Sequence, residues 1–277
     1  MYQISIASNS EREEIFAFLE KQGSVLNAWL IWDISDALQR CEEWESVMIC
    51  RLHSELVGVA YILNQRKIPR NPSDWKPDYD YDVRMDAVDR EAVEALVEAF
   101  PIGLLGHFWI FRPMIQGYLQ ELPDATHTNG DLYFTVSPGH FRPVTGENVI
   151  KLTADDAHLF EGCEEQRSWE DRAHGNRIFA ILRNDRVATS VSLGFVTPKA
   201  TIKNRVEAIM GLHTETKYRR MGLGSQLVSH VTKIILHDGH VPVYWTEPEN
   251  IASQGLAKGL GYWQVGQAIT YRWMKRA

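Results

Sequence analysis

Two β-hairpin patterns stand 130 residues apart, and this repeat restricts the chain more than any other feature. The first is 47–52, a His-Ser-Glu turn and 56–63; the second is 178–182, an Arg-Asn-Asp turn and 187–196. A short polar turn between two β-rich apolar runs is the local signature of a hairpin. Val57 is set against Val187 and Leu52 against Leu182. The surrounding order repeats as strand, two helices, hairpin, strand, helix, strand, helix, strand. The repeat predicts a duplicated α/β unit; the alternative is two unrelated α/β domains that share common hairpins. A period this long excludes a solenoid.

In the first half the pattern predicts a strand at 3–6 and an amphipathic helix capped by Ser8 or Ser10, with Ile15, Phe18 and Leu19 on one face. A second helix is expected over 25–38, with Trp29 and Trp32 as core or interface residues. A Pro-containing loop follows at 64–82. A helix over 89–100, a strand at 107–111, a helix from Pro113 to 122 and a strand at 132–136 complete it. The stretch 138–148 (PGHFRPVTGEN) is the expected boundary, giving domains 1–145 and 146–277. The second half repeats the order: strand 149–152, a helix capped by Thr153, the hairpin, strand 206–214, helix 222–237, strand 241–245, helix 251–260, and strands 262–265 and 268–274.

A length of 277 residues is about two domains' worth, and 44% hydrophobic with 23% charged residues suits core-burying globular units. The net charge of −7 argues against general nucleic-acid affinity. That charge is divided. Residues 1–145 carry 12 basic and 22 acidic side chains, a balance of −10; residues 146–277 carry 17 and 14, a balance of +3. Cys41, Cys50 and Cys163 fit no zinc or redox spacing, which suits a reduced, cytoplasmic chain. No leader pattern is expected at the N-terminus. The most apolar stretch, 101–111, is about half of the ~20 residues a membrane helix needs.

The segment 211–224 (GLHTETKYRRMGLG) carries the chemistry. It joins an apolar strand to a helix whose core face is Leu223, Leu227, Val231 and Ile234. A glycine turn entering a helix leaves N–H groups unpaired at the positive end of the helix dipole, which favours a pyrophosphate. Gly222 and Gly224 allow close approach, and Lys217, Arg219 and Arg220 add positive charge. It is neither a Walker loop nor a dinucleotide fingerprint: no Gly-Lys-Ser/Thr follows and the third glycine is absent.

Arg219-Arg220-Met221-Gly222-Leu223-Gly224 resembles the R-x-x-G-x-G signature of the GNAT N-acetyltransferase superfamily. The segment from Asn250 through Ser253, Leu256 and Leu260-Gly261 to Tyr262 is similar to the second family signature. The resemblance covers 149–277, and 211–218 looks most like FR47-like and glycine N-acyltransferase-like members. It implies an α/β (α+β) fold of tandem GNAT-like domains, with a twisted sheet whose central strands splay around acetyl-CoA. By the resemblance, Leu212, His213 and Thr214 flank the pantetheine arm. Residues Arg219, Arg220, Met221, Gly222, Leu223 and Gly224 hold the pyrophosphate. Asn250 and Ser253 contact the pantetheine or thiol end. Asn250 is equally suited to a helix N-cap, and Ser253 to solvent. No metal is expected.

The implied reaction is direct acyl transfer from CoA to the amine of a small or amino-acid-like molecule, which requires a base and a thiolate-side acid. The family's strand glutamate falls at Ala208, and its tyrosine at Ala257. Glu207 is adjacent, but strand alternation turns it to the other face. Replacement candidates are His213, Glu215, Tyr244, Glu247 and Tyr262. His213 and Glu247 are the catalytic choices, since histidine as a residue type titrates nearest neutrality and Glu247 follows its strand where α/β crevices open. Their plainer readings are a strand histidine and a solvated loop acid; that of Tyr262 is core packing.

The first half has no R-x-x-G-x-G, and Asp86, Asp89 and Glu91 would repel a pyrophosphate. It is expected to be a degenerate GNAT-like domain. The loop 74–86, with Asp74, Asp78, Asp80, Asp82 and Asp86 beside Trp75, Tyr79 and Tyr81, reads as solvated or as a draw for a cationic amine. A monomer or homodimer without nucleic-acid or membrane partners completes the expectation. A non-catalytic acyl-CoA-sensing module is the rival reading.

Overall fold

The computed structural model of the chain describes residues 1–70, 76–146, 148–164, 177–198 and 205–276. The expectations for Asp74, Trp75 and a second helix before the second hairpin lie outside these residues. Along the chain run β1 (Tyr2–Ile6), α1 (Arg12–Gly23), α2 (Ala28–Arg40), β2 (Glu45–Leu52), β3 (Glu55–Asn64) and β4 (Tyr81–Ala87). Then come α3 (Arg90–Glu98), β5 (Leu105–Ile110), α4 (Pro113–Glu121), β6 (Thr126–Thr135), β7 (Ile150–Leu152) and β8 (Arg177–Arg183). Next are β9 (Arg186–Val196), β10 (Val206–Thr214), α5 (Leu223–His237), β11 (Val241–Thr246), α6 (Ile251–Gly259) and β12 (Trp263–Met274).

Contacts gather the chain into two units. Unit 1 holds Met1–Asp131, Pro198–Lys203 and Gly266–Ala277; unit 2 holds Leu132–Thr197 and Asn204–Val265. This division differs from the ranges 1–145 and 146–277 because each unit takes its sixth strand from the other half of the sequence. Unit 1 is ordered β1-β2-β3-β4-β5 and then the last part of β12, with Ile269–Met274 antiparallel to β5. Unit 2 is ordered β7-β8-β9-β10-β11 and then the end of β6, with Leu132 opposite Thr246 and Thr135 opposite Val243.

The hairpins form where expected, for a local reason. His53 and Ser54 have φ of 48° and 72°, and Asn184 and Asp185 have 52° and 55°. Positive φ at both turn positions matches the twist of the flanking strands. The repeat is offset by 131 residues, not 130. Leu52 pairs Glu55 and Arg51 pairs Leu56, as Arg183 pairs Arg186 and Leu182 pairs Val187, with a bulge at the same place in both. Val57 and Val187 face opposite sides: Val57 packs with α3 residues such as Leu96, whereas Val187 packs with Leu159 and Phe160. Leu56 is the true counterpart of Val187, because a one-residue slip reverses the side-chain face.

Each unit has helices on the faces of its sheet. In unit 1, Ile15, Phe16, Leu19, Ile31 and Ile34 pack on Ile49 and Val59. Val93, Leu96 and Ile115 cover the other face against Phe108 and Tyr271. In unit 2, Leu227, Val228, Val231 and Ile235 of α5 pack on Val191, Ile209 and Tyr244.

Four local expectations are corrected. Residues 81–87 form β4 rather than part of an acidic loop; Val83, Met85 and Ala87 face the core and the charged residues alternate with them. The helix after Thr153 is a 3-10 turn, Ala154–Phe160, entered through a Thr153–Asp156 capping box. β6 begins at Thr126, and β12 runs unbroken through 266–267. In the three strand cases, long-range ladder pairing overrides weak local propensity at polar or glycine-containing stretches.

Candidate functional site

The parallel pair β10–β11 of unit 2 opens a gap. β10 and β11 are in register from Val206–Val241 to Ile209–Tyr244. β10 continues to Thr214 while paired on its other edge to β9, so its edge beyond Ile209 has no β11 partner. Gly211, at φ 58°, sits where the β9 register shifts. That conformation suits a residue without Cβ.

The turn between β10 and α5 lies beside this gap. Arg220 at φ 64° and Gly222 at φ 79° both adopt the left-handed region. Such a curl directs successive N–H groups into a concavity. Gly222 is the N-cap of α5, and no side chain caps the helix. The first-turn N–H groups therefore stay available for an anion. A Cβ on Gly224 would meet Leu256 Cδ1 at 3.3 Å and Leu212 Cδ2 and Thr214 Oγ1 at 3.6 Å, which keeps α5 close to β10.

A cleft of about 750 Å³ runs between these elements. Leu212, His213, Thr214, Arg219, Arg220, Gly222, Leu223, Gly224, Asn250 and Ser253 line it, all of them singled out in the sequence. Met221 and Glu247 do not; both are exposed, and Glu247 takes the place of a loop acid. Tyr218, Ser225, Ala252, Gly255 and Leu256, which also line the cleft, were given no site role in the sequence, although Leu256 stands in the second signature. The three-residue step from Asn250 to Ser253 and the four-residue step from Ala252 to Leu256 were the available signal.

The polar groups divide by role. Asn250 Oδ1 accepts from the Ser253 N–H at 3.0 Å, so Asn250 is the N-cap of α6 while also lining the cleft. The Ser253 hydroxyl is hydrogen-bonded to the Tyr244 hydroxyl, and burial pushes the Tyr244 phenol up. Tyr262 is a core residue: its hydroxyl bonds Thr232 Oγ1 at 2.7 Å, and burial raises its pKa strongly. Glu207 is wholly buried, bound to Arg177 and, at 2.8 Å, to His240 Nδ1. It is fully engaged away from the cleft, in keeping with its expected orientation. His213 Nε2 lies 3.3 Å from Glu164 Oε2 and 3.8 Å from Glu215 Oε1.

Unit 1 treats the equivalent positions differently. Its parallel pair, β4 and β5, is in register from Tyr81–Gly106 to Arg84–Trp109. Beyond it stands the buried Asp86, held by Arg112 Nη2 at 2.7 Å and Asn27 Nδ2 at 2.7 Å. The Asp89 side chain caps α3 by accepting from the Ala92 N–H at 2.8 Å. The remaining described acids of the expected loop are also engaged. Arg272 binds Asp78 at 2.8 and 2.6 Å, Arg66 binds Asp80, and Arg84 lies 3.7 Å from Asp82. Asp78 stays exposed beside Arg272, in line with the solvated reading, whereas Asp80 and Asp82 are partly buried and Asp86 is buried.

Residues 147–262 match the model of the Acetyltransferase (GNAT) family, and this part of the chain is a GNAT acetyltransferase domain. A Drosophila protein is similar at 11% identity and a TM-score of 0.65, over 99% of each chain. A GNAT-family acetyltransferase from Colwellia psychrerythraea is similar at 9% identity and a TM-score of 0.59, over 98% of this chain and 99% of that one. A tandem GNAT protein from the clavulanic acid biosynthesis pathway is similar at 10% identity and 0.59, over 99% and 98%. The fold is that of tandem GNAT-like domains. No curated protein matches the chain. Among the described residues, no helix is long and apolar enough to cross a membrane.

Proposed function

We propose that unit 2 transfers an acyl group, acetyl by preference, from acetyl-CoA to the primary amine of a small molecule, and that unit 1 is a GNAT-like unit without a coenzyme site. The observation that carries this is the uncapped α5 N-terminus beside the stretch of β10 that runs on past its register with β11, within one cleft. The site fits acyl-CoA: a nest and two arginines for the pyrophosphate, an open strand edge for the amide-bearing arm, and a hydroxyl at the far wall. Acyl-CoA supplies the thioester. Arg219, Arg220 and the N–H groups at Gly222–Gly224 hold its phosphates. Backbone groups of Leu212 and Thr214 orient the arm. His213 takes the proton from the amine, and Ser253, backed by Tyr244, gives one to the leaving sulfur. Residues 211–218 favour the FR47-like and glycine N-acyltransferase-like subgroup. The protein acts in the cytoplasm as a monomer or homodimer, without a metal.

The test is thiol release from acetyl-CoA across a panel of amines. Turnover with at least one amine, lost in the Arg219→Glu/Arg220→Glu double variant, is expected. Coenzyme binding with no turnover for any acceptor would favour the second reading, a non-catalytic acyl-CoA sensor. That reading draws on buried Ala208 and Ala257 at the positions of the family's acid and tyrosine. Under it, His213→Gln would leave coenzyme-dependent stabilisation intact and no activity would exist to lose.

A further inference from the structure

The Tyr244 phenol is 3% exposed, and among the described residues its hydroxyl has one hydrogen-bond partner, Ser253 Oγ. A buried O–H has to donate, so Tyr244 donates and Ser253 Oγ accepts. The Ser253 proton is then left to point elsewhere. Ser253 lines the cleft, and its hydroxyl has no second partner among the described residues. Burial pushes the Tyr244 phenol up, so the donor keeps its proton. The family's tyrosine position, Ala257, is 1% exposed in the same core cluster as Tyr244. A phenol therefore reaches this wall from β11 instead of from α6, and it acts through a serine.

The couple stands at the sulfur end of the cleft. Ile209–Tyr244 is the last registered pair of β10 and β11, so Tyr244 marks the point at which the strands part. The phosphate turn follows the far end of β10, after Thr214. An arm running back from that turn along Thr214 and Leu212 ends toward Tyr244 and Ser253. Two further features favour an anion at this end. The wall is the N-terminus of α6, whose cap Asn250 lines the cleft together with Ala252 and Ser253. A helix N-terminus makes a nearby thiol more acidic. The charged and titratable groups lining the cleft are His213 from β10 and Tyr218, Arg219 and Arg220 from the turn. Among the described residues no carboxylate lines it; Glu247 and Glu249 stand exposed ahead of α6. Tyr262, packed beside Tyr244, is turned to Thr232.

We infer that Ser253, oriented by Tyr244 at the first turn of α6, is a thiolate-binding group, and that the cleft thereby holds released CoA more tightly than acetyl-CoA and answers to the ratio of the two. This rests on the coenzyme-binding part of the reading above. A thioester sulfur is a poor acceptor, whereas a thiolate takes a charge-assisted hydrogen bond. The same O–H therefore gains strength once the acyl group has left. Binding of CoA in this form breaks its S–H bond, leaves the electron pair on sulfur and releases one proton to solvent. Acetyl-CoA has no such proton. CoA affinity relative to acetyl-CoA accordingly rises with pH up to the ordinary thiol range, because a hydrogen bond to the charged form favours that form. Tyr244 touches no ligand; it is a positioning residue that acts through Ser253. CoA held in this way inhibits transfer when acetyl-CoA runs low.

The experiment measures Kd of CoA and of acetyl-CoA by calorimetry on the full chain, near neutral pH and about two units higher, in two buffers of different ionisation enthalpy. The ratio of the two constants is the readout, since general damage to the cleft weakens both ligands and cancels. In the unaltered chain CoA is expected to bind about tenfold tighter than acetyl-CoA at the higher pH, with proton release. Ser253→Ala should bring the ratio near one, and Ser253→Thr should keep the preference. Tyr244→Phe, which keeps the ring packed, should cut the preference to about threefold. A pH-dependent preference that survives Ser253→Ala belongs to His213, Arg219 or Arg220 and overturns the inference. A ratio near one in the unaltered chain, with both ligands bound, overturns the inference and leaves the coenzyme reading standing. If neither ligand binds, the coenzyme reading and the inference fall together.

Discussion

The two units share one plan and treat its critical corner in opposite ways. In unit 2 the helix after the central parallel strand begins at Gly222, uncapped and with arginines before it. In unit 1 the matching helix begins at Asp89, whose carboxylate accepts from the Ala92 N–H and from the Tyr2 hydroxyl. Unit 1 carries its own anion where unit 2 leaves room for one. The neighbouring corner follows suit: Asp86, Arg112 and Asn27 close together beside β4, while the edge of β10 stays open. On the proposed reading, a capping carboxylate and a buried ion pair occupy in unit 1 the corner that holds coenzyme in unit 2, on the same plan of strands and helices.

The largest effect should come from the buried pair. Asp86→Ala leaves Arg112 without its partner, and a broken buried ion pair costs about 3 kcal/mol or more. The urea midpoint is expected to fall accordingly, while coenzyme affinity of the remaining folded protein holds. A wild-type midpoint would mean that the pair is no structural substitute for a ligand. The second effect transplants the cap. Gly222→Asp places in unit 2 the acid that unit 1 has, and acetyl-CoA affinity should drop by about a hundredfold through like-charge repulsion and a filled helix terminus. Calorimetry showing less than a threefold loss would separate the helix terminus from coenzyme binding.

The reverse change is milder. Asp89→Ala removes an N-cap and should cost about 1 kcal/mol of stability, read as a lower melting temperature with acetyl-CoA Kd unaltered. If the variant acquired a second coenzyme-binding event, unit 1 would be a latent site rather than a scaffold. The smallest effect is in pH dependence. Burial raises Asp33 to about 7, against the opposing pull of Arg84 at 2.8 Å. A carboxyl whose folded pKa is raised binds its proton more tightly in the native state, so its contribution is full below the unfolded pKa of about 4 and is lost as pH rises through about 7. Asp33→Asn should flatten the fall in melting temperature between pH 4 and 7. An identical slope in the variant would assign that dependence to other groups.

Much of the cleft was legible in the sequence because its parts are local. The turn at 219–224, the N-cap Asn250 and the line of Leu212, His213 and Thr214 depend on neighbours a few residues away. Glu247 stands exposed outside the cleft, because a position just past a strand end does not fix which way the following loop turns. Tyr262 was rightly weighed as core, since its hydroxyl meets Thr232 within the packed interior. Glu164 went unnoticed because its partners, Glu215 and Thr216, lie about fifty residues on in sequence.

By itself, the sequence determined the hairpins, through turn residues that accept positive φ, and the phosphate-type helix entry, through glycine without Cβ and arginines beside it. It also determined the charge split. Only the tertiary structure decided what the acids of the first half do, because a carboxylate reads as solvated until a distant guanidinium is brought against it in the interior, as Arg112 is against the buried Asp86. The same holds for the sixth strand of each unit. Strand pairing is satisfied by any edge of correct register, so the choice of Leu132–Thr135 for unit 2 and Ile269–Met274 for unit 1 is made by the assembled sheets and not by local pattern.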